Sequence, residues 1–83
     1  RLYTQKVIVG DLSFIQQPIT EEKQLLARVR YRDPSINITF TPQADGTGEV
    51  LFEIPQRAIA EGQILALYQE DQLIGGGVYQ KIF

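Results

Sequence analysis

The chain contains no cysteine, no histidine, no methionine and no tryptophan. Lacking cysteine, it can have no disulfide framework, no thiolate metal site and no cysteine nucleophile. Lacking histidine, it is without the usual general base near neutral pH and the commonest metal ligand. Methionine is missing even at position 1, where Arg1 stands, so the expectation is a piece of a larger polypeptide whose activity need not be its own. No apolar run approaches the ~20 residues of a membrane helix, and nothing at the start resembles a signal peptide. Basic residues are slightly outnumbered, eight against ten acids for a net charge of −2, which argues against a dedicated, strongly basic nucleic-acid binder. With 83 residues the chain reads as a single domain, 1–83, with a thin core.

What is present is alternation. Leu2–Val9 reads as a strand with Leu2, Val7 and Val9 inward, broken at Gly10-Asp11. Leu12–Ile15 is a short apolar piece, and Gln16–Glu22 is a loop. A helix over Thr20–Ala27 could be capped by Thr20, but period two continues through it. In Leu25–Arg32, residues Leu25, Ala27, Val29 and Tyr31 fall on one face, and Leu26, Arg28, Arg30 and Arg32 on the other. Asp33-Pro34-Ser35 is turn chemistry, so the next strand, with Ile36, Ile38 and Phe40 inward, closes a hairpin. Thr41–Glu49 is a polar loop with Asp45-Gly46 at its tip. Val50, Phe52 and Ile54 then face in, with Leu51 and Glu53 opposite, until Pro55 ends the strand. Ala58 and Ile59, in the Pro55–Gly62 connection, are expected to plug a barrel end. Gln63–Tyr68 is continuously apolar, as for a strand buried on both faces or set against a neighbouring domain. Leu73–Tyr79 closes the sheet, with glycines at its bend. Short strands with turn chemistry between them and no convincing helix predict an all-β domain, a small closed or partly open antiparallel barrel of about six strands.

Little in this chain can do covalent chemistry. Gly75–Gly77 lacks the Lys and Ser or Thr that a phosphate loop carries into a helix, and barrel bending accounts for it better. Glu53 lies on an outward face and Glu70-Asp71 in a turn, so the carboxylates form no catalytic pair. An active site made wholly from this chain is therefore not expected, and no metal site or cofactor is assigned to it. The arginine row admits three readings. It is a solvated face in cross-strand pairs worth ~0.2–1 kcal/mol each, a set of phosphate contacts for an RNA backbone, or a dock for a sister domain with matching acids. Charge alone favours the first.

The motifs go further. ARVRYRDP, followed by FEIPQRAIAEGQILALYQEDQLIGGGVY, resembles the C-terminal domain of the bacterial tRNA-specific 2-thiouridylases, also called tRNA (5-methylaminomethyl-2-thiouridylate)-methyltransferases. The shared signatures are Arg30-Tyr31-Arg32, Pro55-Gln56-Arg57-Ala58 leading to Gly62-Gln63, and Ile74-Gly75-Gly76-Gly77. The resemblance extends over nearly the whole chain. The chain departs from the pattern at Asp33, where the family often has Gln, at Ile36 or Asn37, where it has Cys, and at Phe14, where an aromatic Trp is usual. The resemblance implies a translation-factor-like barrel in a cytoplasmic enzyme that adenylates the wobble uridine of certain tRNAs with ATP and transfers sulfur through cysteines. It also implies partners: tRNA, the N-terminal catalytic and central domains of the same polypeptide, and a sulfur-donor protein, with no membrane. No catalytic position carries over, because the nucleotide loop and the cysteines belong to the N-terminal domain. Arg28, Arg30 and Arg32 are the candidate RNA contacts, with Arg57 and Lys81 at the rim; a structural brace without RNA contact is the alternative.

Overall fold

The structure, a computed structural model, describes residues 3–30 and 32–83; the expected inward positions Leu2 and Tyr31 lie outside the described residues. Six strands form: β1 (Tyr3–Phe14), β2 (Lys23–Arg28), β3 (Ile36–Pro42), β4 (Gly48–Arg57), β5 (Ile64–Gln69) and β6 (Gln72–Ile82). They close into one antiparallel barrel in the order β1-β4-β3-β2-β5-β6, so the predicted all-β barrel is borne out. Alternation explains its inside. Val7 and Val9, Leu25 and Ala27, Ile38 and Phe40, Val50 and Phe52, Leu65 and Leu67, and Tyr79 are all buried, every second residue of a strand pointing inward.

Every neighbouring pair is antiparallel, so the connections alternate between the two ends of the barrel. One end carries the β2–β3 turn and the β4–β5 connection; the other carries the β1–β2 loop, the β3–β4 loop and the β5–β6 turn. Neither β1 and β2 nor β4 and β5 are neighbours in the barrel, so each of those connections must cross an end. Ile19 comes from the first and Ile59 from the second, and both pack against the core. Ile59 is the plug the sequence suggests. Its neighbour Ala58 is exposed instead, with a left-handed φ of 58°.

Three strand expectations need correction. Gly10-Asp11 does not break β1: the pairing with β6 slips between Gly10 and Ser13, and Asp11 takes a φ of 47°. The chain accommodates an extra residue as a bulge and continues. Ile54 is 62% exposed rather than inward, and β4 runs on past Pro55 to Arg57. The register with β1 jumps from Leu51↔Lys6 to Gln56↔Thr4, so Ile54 and Pro55 fall in an irregular stretch where alternation no longer fixes the face. Third, β2 stops at Arg28. Val29 is still buried, but Arg30 lies in a bend and Arg32 in a turn.

The glycines of β6 are set by crowding. A Cβ on Gly75 would sit 2.3 Å from the Ser13 carbonyl oxygen on β1, and one on Gly76 2.9 Å from the Leu65 carbonyl oxygen on β5. Both obstacles are main chain, so β6 can lie between its neighbours only where side chains are missing. This is a barrel-closing segment and not a phosphate loop.

Candidate nucleic-acid interface

The alternating topology sorts the charges. Arg28 ends β2, Arg30 and Arg32 follow it toward the β2–β3 turn, Arg57 ends β4, and Lys81 lies near the end of β6. These termini share one end of the barrel. The acids Glu21, Glu22, Asp45, Glu70 and Asp71 lie in the loops of the opposite end, with Lys23 at the start of β2. Asp33 and Glu61 lie at the same end as the five cations and are outnumbered by them. A chain with a net charge of −2 is therefore polar along its axis, with all five predicted contact residues at the basic end.

They do not line up along one strand face, because β2 ends at Arg28. The Arg28 guanidinium lies 5.2 Å from the centroid of the Tyr68 ring on β5, a cation–π arrangement that holds it against the barrel wall. Arg30 turns back across the end. One of its terminal nitrogens donates to the Arg57 carbonyl at 3.0 Å and to the Ala58 carbonyl at 2.9 Å, while the other stands 3.6 Å from an Asp33 carboxylate oxygen. Arg30 thus ties the β2–β3 turn to the β4–β5 connection. Arg32 and Arg57 are exposed, and Lys81 is on the β6 wall.

Lys81 has company that the sequence reading passed over. Its ammonium is 5.4 Å from the centroid of the Phe83 ring, and that of Lys6 is 5.0 Å from the same ring. Lys6 also stands 3.9 Å from Glu49. Phe83 is 52% exposed, so an accessible aromatic face is flanked by two cations. The sequence signal was Lys81 two residues before an aromatic; the contribution of Lys6 comes only from strand pairing.

Below the basic end lies Tyr79, 1% exposed, whose hydroxyl has no hydrogen-bond partner among the described residues. Burial pushes its pKa well above the ordinary tyrosine value, with the positive Arg30 working in the opposite sense. At the acidic end, Asp45 accepts hydrogen bonds from the Thr47 hydroxyl at 2.6 Å and the Thr47 amide at 3.0 Å, and these hold its carboxyl below its ordinary pKa. Among the described residues, no group of three or more His, Cys, Asp or Glu residues could hold a metal ion, and no helix is long and apolar enough to cross a membrane.

A closed six-stranded antiparallel barrel with five cations gathered at one end defines a small all-β barrel domain. Residues 4–79 match the family described as the aminomethyltransferase beta-barrel domain, and the chain belongs to that family. It is similar to the tRNA-specific 2-thiouridylase MnmA of Chlamydia trachomatis serovar L2, 38% identical over 79 residues, which is 95% of this chain and 22% of the relative. It is also similar to the proteins of the same name from Sodalis glossinidius, 35% identical over 81 residues (96% of this chain, 22% of the relative), and Geobacillus thermodenitrificans, 34% identical over 83 residues (99% and 22%). The expected relationship to the 2-thiouridylases is thus borne out, and the chain spans about a fifth of the length of these relatives.

Proposed function

We propose that this barrel is the C-terminal, non-catalytic domain of a cytoplasmic tRNA-modifying enzyme that makes 2-thiouridine at the wobble position, and that its basic end rests on the tRNA backbone. The observation that carries the RNA contact is the segregation of Arg28, Arg30, Arg32, Arg57 and Lys81 to one end of the barrel. Arg32 and Arg57 are the exposed phosphate contacts. Arg30 is committed to main-chain carbonyls and Asp33, so its first task is to hold the end in shape. Lys6, Lys81 and Phe83 form a second contact, where a base can stack and a phosphate can meet an ammonium. Such contacts position an RNA without reading its sequence.

The rest of the enzyme does the chemistry. Adenylation draws on ATP and sulfur transfer on cysteine thiolates. This chain has no cysteine, and its glycine run is packed against neighbouring strands, so both tasks, and the delivery of sulfur by a donor protein, belong to the catalytic and central parts of the polypeptide.

The test is tRNA affinity of the full-length polypeptide against salt concentration. Arg32→Ala and Arg57→Ala should each weaken binding to all substrate tRNAs alike and reduce the slope of log affinity against log salt by about one. Unchanged affinity and slope in the double variant would overturn the reading.

A further inference from the structure

The outer face of β5 and β6 is apolar where a free barrel should be polar. Ile64 is 67% exposed and pairs with Val78 across the strands. Ile15 and Leu73, 63% and 45% exposed, lie farther along β6, beyond Gly75–Gly77. Between these side chains run Gly75–Gly77, and together they line a shallow groove of about 320 Å³ whose one charged lining residue among those described is Asp11. A groove floored by main chain and walled by branched aliphatics accepts an apolar ridge.

We infer that this groove is the seat of another domain of the same polypeptide, one that presents apolar side chains with a basic group opposite Asp11. The inference rests on the proposed membership of a longer enzyme. Relatives aligned over 95% of this chain devote only 22% of their length to it, so a much larger tethered body is available to cover the face. Other occupants fit less well. RNA is repelled by a carboxylate and finds no cation in the lining. A second copy would set concave surface against concave surface and bring two Asp11 carboxylates together. An apolar exposed patch rimmed by polar residues is the usual mark of a protein contact.

The experiment uses thiol accessibility in the full-length polypeptide, read at each position by peptide mass spectrometry. Ile64→Cys and Leu73→Cys should label at least tenfold more slowly than Ile54→Cys, a position on β4 outside the groove that is 62% exposed. The protection should be independent of protein concentration and should disappear when Val78→Glu is added. Equal labelling rates at all three positions would overturn the inference. Protection that grows with concentration would also overturn it, in favour of a second copy, as would protection that appears only on adding tRNA. Arg32→Ala with Arg57→Ala leaves the labelling pattern unchanged, so failure of the groove and failure of the RNA reading are separately visible.

Discussion

Arg30 shows how one side chain at the basic end can tie two connections of the barrel together. Its two hydrogen bonds end on consecutive carbonyls, those of Arg57 and Ala58, and Ala58 is in the left-handed region at 58°. A non-glycine residue pays about 1–2 kcal/mol to sit there, and the guanidinium fixes the carbonyls on both sides of the strain. Arg30→Ala should destabilise the barrel by about 1–2 kcal/mol in chemical denaturation, discounted for solvent exposure from the ~1.5–3 kcal/mol typical of hydrogen bonds to charged groups. Tyr79 is the converse case. Its buried hydroxyl is unpartnered among the described residues, so Tyr79→Phe should leave stability unchanged or raise it by up to about 1 kcal/mol. Asp45 offers a pH test. Its carboxyl is held below the ordinary value, first by the Thr47 hydroxyl and then by the Thr47 amide. A depressed carboxyl contributes stability that is present above its unfolded-state pKa and lost as pH falls through the folded one. Thr47→Val should therefore move the Asp45 pKa upward in an NMR titration, and acid-side unfolding should begin at higher pH.

At the scale of the element, closure is decided where β6 meets its neighbours. Gly75 faces the Ser13 carbonyl and Gly76 the Leu65 carbonyl, and neither obstacle can swing aside as a side chain could. Gly75→Ala should cost about 1–3 kcal/mol, the usual range for overpacking, as a lower denaturation midpoint with little change in slope. The glycine run was legible in the sequence as a bend, because no helix or Lys-Ser signature followed it. Ile36, Ile38 and Phe40, and likewise Val50 and Phe52, were legible from alternation alone, since straight strand keeps its faces. Ile54 was not, because the register slip between β4 and β1 is a property of two strands together. The arginine row does not continue along one strand face for a related reason. Inward and outward positions continue through buried Val29, but β2 pairs only as far as Arg28, and period two cannot tell a paired strand from the extended start of a turn. The exposed side of Gln63–Tyr68 was half legible: its apolar continuity pointed to two-sided burial or to an end against a neighbouring domain, and Ile64 at 67% exposure is not buried on its outer face within the barrel.

For the whole molecule, net charge is the wrong summary. The barrel extends 34 × 28 × 20 Å, while charges in solution are screened over about 8–10 Å at physiological salt. Acids in the far-end loops are therefore largely invisible to a ligand at the basic end. Two variants separate position from total. Glu70→Lys with Asp71→Lys changes the formal charge from −2 to +2, because each swap adds two, yet it alters only the far end. Arg57→Ala lowers the charge by one, to −3, at the proposed contact. If the basic end is the grip, the full-length polypeptide should bind tRNA with nearly unchanged affinity and salt slope after the first change, and several-fold more weakly with a shallower slope after the second. A general attraction between tRNA and the whole barrel predicts the opposite order, with the double lysine variant binding more tightly. The comparison is best made near 0.15 M salt, since at 0.01 M the screening length rises to about 30 Å and the two ends of the molecule are no longer electrostatically separate.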